Sequence, residues 1–217
     1  MNMLAKKANG FTMLEMIVSV GVFATVAVLA VTSLLALTNA QKKALALQSV
    51  QDNLRFSIEA IARDLRQGDF LYCGDTLQDI PTDLDAIGLP RAKDCTGKQA
   101  ITFVDRDNNV TTYRIGDASQ LPVSSCGADH LCIEKSIRKG TDGTFASKYA
   151  EAPVFFPVTS LDIEINRFDL YVVGSDRQDQ IEPRVTIVVE GIVGTGGSTS
   201  EFHLQTTISS HRNIYRD

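Results

Sequence analysis

The stretch that decides the fold is FTMLEMIVSVGVFATVAVLAVTSLLAL, residues 11–37, which follows the more polar stretch MNMLAKKANG, residues 1–10. Within it, residues 16–37 form a run of 22 without a charged side chain. A helix of that length extends about 33 Å, enough to cross the hydrocarbon core of a bilayer. The run is also longer than the apolar core of a cleavable secretory signal. The sequence therefore predicts a retained transmembrane helix.

Glu15 lies at the start of the apolar run, where a carboxylate is costly unless it has a partner. One interpretation is local, because TMLE at residues 12–15 matches a capping box in which the glutamate accepts a hydrogen bond from a free helix-start amide. The other interpretation requires a cut between Gly10 and Phe11. The new amino group of Phe11 would then lie four residues before Glu15 and could neutralise a carboxylate within the apolar layer.

The stretch KKANGFTMLE, residues 6–15, followed by a long apolar helix, resembles the class III signal of type IV pilins and type II secretion pseudopilins. The resemblance implies that a membrane prepilin peptidase cuts between Gly10 and Phe11 and N-methylates Phe11. It also implies that Glu15 serves assembly by meeting the amine of an adjacent subunit. The resemblance is clear over residues 6–37 and loose to about residue 67. The competing interpretation is a plain signal anchor that carries an unrelated domain.

The sequence pattern of residues 38–67 predicts an amphipathic continuation of the same helix. Proline is absent before Pro81, and apolar residues recur at intervals of three and four. The first half of the helix needs lipid or sibling helices, and the second half needs a globular domain to cover one face. Gly68 is the expected C-cap. The apolar stripe consists of Leu47, Val50, Leu54, Ile58, Ile61 and Leu65.

The sequence of residues 68–217 predicts an exported β-rich globular domain. Residues 68–99 are expected to be irregular, with a short helix over residues 77–89. Alternating and β-branched residues predict the later strands, and the break of phase at Asn166-Arg167 predicts a bulge. Because the strands follow the helix, the fold class is α+β, with the long helix packed on an antiparallel sheet as in pilins. The predicted strands cover residues 100–104, 110–115, 131–137, 153–158, 160–173, 185–193 and 201–209.

All of the cysteines follow the apolar run, and they are Cys73, Cys95, Cys126 and Cys132. An even number in an exported domain favours disulfides, and closeness in sequence favours Cys73–Cys95 and Cys126–Cys132 among the three pairings. Free thiols are an alternative. A metal site is less favoured because no C-x2-C spacing occurs. Disulfides place the C-terminal domain outside the cytoplasm.

Two loops raise the question of a cation site. In DRDNN, residues 105–109, acidic and amide side chains alternate as in calcium loops, but the glycine and closing glutamate of an EF-hand are absent. A hairpin turn is therefore the better interpretation of that stretch. The polar loop with Asp176, Arg177, Asp179 and Glu182 is interpreted as solvated. No metal or other cofactor is predicted.

Composition and motifs narrow the function further. The net charge of −5 argues against broad nucleic-acid binding, which needs basic surface. No catalytic motif is recognised, so an enzyme is not expected. The sequence thus predicts a single-pass protein of the cytoplasmic membrane that, as a minor pilin or pseudopilin, joins a surface filament. Its expected partners are prepilin peptidase, the membrane and other filament subunits. The alternative is an anchored adhesive or binding domain that forms no filament.

Overall fold

The computed structural model describes residues 10–75, 92–116, 124–126, 130–140, 144–160, 162–175, 181–195 and 198–210. The chain divides into two compact units, Met1–Leu45 and Ala46–Asp217. The first unit contains the N-terminal turns of a long helix, and the second contains its remaining turns and the strands.

Helix α1 runs without interruption over Met13–Gln67, as the absence of proline predicted. Its N-terminal part is long and apolar enough to cross a membrane, and none of that part is buried. From Val50 onward one face is buried, and Ile61 and Leu65 are fully covered. The helix ends at Gln67, and the N–H of the following Gly68 donates to the carbonyl oxygen of Leu65 at 3.2 Å. The predicted covering of the second half of the helix by the globular domain is thus confirmed from Val50 onward.

The strands form two antiparallel sheets rather than the one that the sequence predicted. The first has the order β1-β3-β4-β5-β6 and the second the order β2-β7-β8-β9. A short helix α2, Phe145–Ala150, was not predicted. The strands are β1 Asp69–Gly74, β2 Cys95–Lys98, β3 Ala100–Val104, β4 Val110–Gly116, β5 Cys132–Arg138, β6 Phe155–Pro157, β7 Ile163–Val173, β8 Arg184–Thr195 and β9 Ser198–Ser209.

The prediction that residues 68–99 are irregular is wrong at both ends of the segment. β1 pairs with β3, and β2 pairs with β7, so each obtains its backbone hydrogen bonds from a strand distant in sequence. Such pairing leaves little local signal, because β2 carries CTGK, a poor strand sequence. The short helix predicted over residues 77–89 lies outside the described residues.

Two other strand predictions are confirmed. The register between β7 and β8 shifts between Ile165 and Arg167, so the bulge lies where the alternation changed phase. The shift returns Phe168 to the buried side, where its exposure is 0%. β8 and β9 pair antiparallel over twelve residues each, as expected for the last hairpin.

The second unit has one main core, in which the α1 stripe and the inner faces of both sheets belong to a single cluster of buried side chains. Polar contacts also fasten the helix. The Oγ of Ser57 donates to the carbonyl oxygen of Val158 at 2.8 Å. Asp64 accepts from the hydroxyl of Tyr113 at 2.6 Å and from the Nζ of Lys135 at 2.5 Å. Burial, together with Asp64, raises the pKa of Tyr113, which keeps its phenol protonated as a donor.

The junction between α1 and β1 yields a stability prediction at Gly68. A Cβ at this position would lie 2.5 Å from Cδ2 of Phe103, a fully buried ring. Overpacking of this kind costs about 1–3 kcal/mol, so Gly68→Ala should lower the urea midpoint of the domain, followed by tyrosine fluorescence in detergent. Gly21→Ala is the matched control, since a Cβ there meets nothing within 4 Å. Equal midpoints for the two variants would contradict the predicted clash.

Candidate functional site

The peptide bond between Gly10 and Phe11 lies in an exposed segment before α1. Gly10 is exposed, and the Phe11 side chain is 78% exposed. A Cβ built on Gly10 would meet nothing within 4 Å. The predicted cleavage position is therefore accessible, and substitutions at Gly10 have room.

Thr12 caps the start of α1. Its Oγ1 accepts the backbone N–H of Glu15 at 3.3 Å, and its carbonyl oxygen accepts the N–H of Met16 at 3.2 Å. The reciprocal half of a capping box, from the Thr12 N–H to the Glu15 carboxylate, is absent from the described part of the chain. The local interpretation thus explains Thr12 but leaves the Glu15 carboxylate exposed and without a partner among the described residues.

Most hydroxyl groups along the apolar part of α1 are satisfied within the helix. Four of them donate to carbonyl oxygens three or four residues earlier in the same helix, at 2.8–3.0 Å. Such bonds let serine and threonine lie in hydrocarbon without an orphaned donor. These residues are Ser19, Thr25, Thr32 and Thr38. Over residues 13–38, Glu15 and Ser33 are the described polar side chains for which no such bond is present, and Glu15 alone of these two is charged.

Both disulfides that closeness in sequence favoured are present. Cys73 pairs with Cys95 across a Cα–Cα distance of 6.2 Å, and Cys126 pairs with Cys132 across 5.7 Å. The first bond links the end of β1 to the start of β2, and so joins the two sheets. These bonds suit an oxidising compartment.

A buried ion pair behind the second disulfide was missed from the sequence. The Nε of Arg114 on β4 lies 3.1 Å from Oε2 of Glu134 on β5, and their side chains are 3% and 0% exposed. The guanidinium also lies 3.8 Å from the ring centroid of Phe155. Burial lowers the pKa of Arg114, and the Glu134 carboxylate opposes that shift. The pair therefore fixes β4 and β5 on the side of the first sheet away from α1.

The other carboxylate oxygen of Glu134 is held by the loop that Cys126 anchors. It accepts from Ser124 Oγ at 2.7 Å, from Ser125 N–H at 2.5 Å and from Ser125 Oγ at 2.9 Å. Sγ of Cys126 lies 3.3 Å from the same oxygen. Cys126, Cys132 and Glu134 are close enough to share a metal, but the two sulfurs are bonded to each other. The signal available in the sequence for this contact was the pair of serines before Cys126. The alternation of side chains along β5 alone would place Glu134 on a solvent-exposed face of the sheet.

The two loops considered for a cation have different outcomes. Asp105 accepts hydrogen bonds from the Asn109 N–H at 2.8 Å and from the side chains of Asn109 and Thr111, both at 3.3 Å. The stretch is thus a hairpin turn between β3 and β4, as predicted. In the second loop Glu182 is exposed, and Asp176, Arg177 and Asp179 lie outside the described residues.

The site at the start of α1 therefore consists of three elements: an accessible Gly10–Phe11 bond, a capped helix start and a carboxylate at Glu15 with no partner in the described chain. Comparisons with protein-family models, with curated proteins and with solved structures give no match for this chain.

Proposed function

We propose that this protein is a structural subunit, a minor pilin or pseudopilin, of a type IV pilus-like filament. The precursor is anchored by the N-terminal part of α1, and prepilin peptidase cuts it between Gly10 and Phe11 and methylates the new amine. One observation carries the proposal: the Glu15 carboxylate has no partner among the described residues, in the first turn of a helix whose apolar side chains are exposed.

The exposed helix surface supports assembly in an apolar environment. Large side chains remain open on it, such as Leu14 at 76% and Phe23 at 74%. A bilayer satisfies these side chains in the precursor, and neighbouring helices can satisfy them equally in a fibre. Lipid alone does not satisfy Glu15, since an unpaired carboxylate costs about 2.5–3.5 kcal/mol at the centre of a bilayer and less toward its surface, where the first turn of the helix lies.

Cleavage supplies the missing cation. After the cut, the amine of Phe11 is one helical turn before Glu15 in the same chain. A pair formed within one chain does not fix the position of a neighbouring chain. The amine of an adjacent subunit, shifted along the fibre axis, meets the carboxylate only at the correct stagger. The ion pair thus provides both neutralisation and a register, and the domain with the two disulfides faces the outside.

Intact mass tests the processing step. The full-length precursor is expressed with and without prepilin peptidase, and we expect a mass change equal to loss of residues 1–10 plus one methyl group only with the enzyme. Gly10→Val is the control, because the structure has room for the side chain while the bond to be cut is altered. An unchanged mass, or a cut after residue 37, would favour the anchored binding domain that forms no filament.

A further inference from the structure

The four sheet edges differ in how well they resist pairing. β6 has three residues and ends in Pro157, and β2 has four residues with a register shift between Cys95 and Lys98. β1 has a shift between Asp69 and Tyr72. Short, bulged or proline-containing edges are the usual protection against strand addition. β9 has none of these features, because all twelve of its residues pair with β8 in one continuous register.

The hydrogen-bond phase shows which backbone groups of β9 face outward. The N–H of Ser210 donates to the carbonyl oxygen of Pro183 at 2.8 Å, so the even-numbered residues of β9 bond to β8. The odd-numbered residues direct N–H and C=O away from β8. Across the described ranges no backbone hydrogen bond to these groups occurs. They belong to Thr199, Glu201, His203, Gln205, Thr207 and Ser209.

The side chains along this edge specify the kind of strand that fits it. Phe202 and Leu204 face the core but are only partly buried, so the flank beside β9 is open. Glu201 and His203 are exposed on the opposite face. An added strand therefore needs apolar residues at every second position to cover the inner flank, and polar residues between them.

We propose that the edge of β9 pairs antiparallel with β9 of a second copy of this chain. Of the described strands, β9 itself combines a free edge, the length and the required alternation. When the two copies of Phe202 lie opposite each other, Glu201 lies opposite the partner's His203. This register needs hydrogen bonds from the backbone groups of Glu201 and His203, and those groups face away from β8. A carboxylate opposite an imidazole favours this register, and the pair carries opposite charges when His203 is protonated. This contact involves β9 alone and does not rest on the proposed filament function.

Charge exchange tests the contact. The dimer dissociation constant of the full-length chain is measured in detergent by sedimentation equilibrium. Glu201→Lys removes the carboxylate from both Glu201–His203 pairs and places a lysine opposite each His203, which should weaken the dimer about tenfold or more. Adding His203→Glu in the same chain should restore most of the lost affinity. Glu164→Lys, on the same outer face of β7, is the matched control and should leave the constant unchanged.

A backbone variant supplies an independent measurement. Gln205→Pro removes an outward N–H but no hydrogen bond to β8, so the unfolding midpoint should change little while the dimer weakens. A monomeric wild-type chain overturns the proposal. So does a dimer that Glu201→Lys and Gln205→Pro leave unchanged, since that dimer would form through another surface.

Discussion

Replacing Arg114 with leucine is expected to destabilise the domain by about 3–5 kcal/mol, because it leaves the Glu134 carboxylate buried without its cation. Glu134 is fully covered, and the serine donors on its other oxygen do not supply a charge. Urea unfolding of the oxidised full-length protein in detergent measures the change.

Two further variants make the Arg114 result interpretable. Arg167→Leu removes an exposed arginine that pairs with Asp169 and Glu190, and its effect should be far smaller. The double variant Arg114→Leu with Glu134→Leu removes both buried charges and should recover much of the loss. Equal urea midpoints for Arg114→Leu and Arg167→Leu would show that the buried ion pair stabilises the domain no more than an exposed one.

Glu15→Ala is expected to be cleaved and methylated normally but to be nearly absent from filaments. The carboxylate has no partner among the described residues, so its removal should not disturb the helix. In a fibre, however, the amine of the adjacent subunit would stay unpaired in an apolar layer. At about 2.5–3.5 kcal/mol, that loss corresponds to roughly a hundredfold lower incorporation.

Incorporation is measured by quantitative immunoblot of sheared filaments against the membrane pool of the same cells. Glu59→Ala is the matched control, since Glu59 is an exposed carboxylate farther along α1. Normal incorporation of Glu15→Ala would refute the pairing between Glu15 and the Phe11 amine. The intact-mass measurement would still test the cleavage step separately.

Much of the fold could be predicted because its signals are local and periodic. The α1 stripe at intervals of three and four residues became the buried face of the helix. The break of phase at Asn166-Arg167 became a register shift between β7 and β8. In both cases the residues that carry the signal are also the residues that pack, so alternation or helical period is sufficient.

What could not be predicted depends on contacts distant in sequence. β2 carries little strand propensity and exists because β7 pairs with it. Glu134 alternates like a surface residue, but the loop at Ser124 and Ser125 covers it, and alternation cannot reveal a loop that folds over an outer face. At the candidate site, the sequence predicted the cap at Thr12 and a Glu15 carboxylate in need of a partner, whereas the absence of the reciprocal capping bond was visible only in the geometry.

The hydroxyls of Ser19, Thr25, Thr32 and Thr38, bonded to their own helix, have a consequence for turnover of the protein. Moving such a helix from lipid to a bundle of its own kind breaks none of these bonds and creates no new ones. The free-energy difference between the two surroundings then rests on packing, on the Glu15 carboxylate and on the Ser33 hydroxyl. In the proposed filament, such a helix would be able to leave and return repeatedly, because neither direction has to strip these donors from their acceptors.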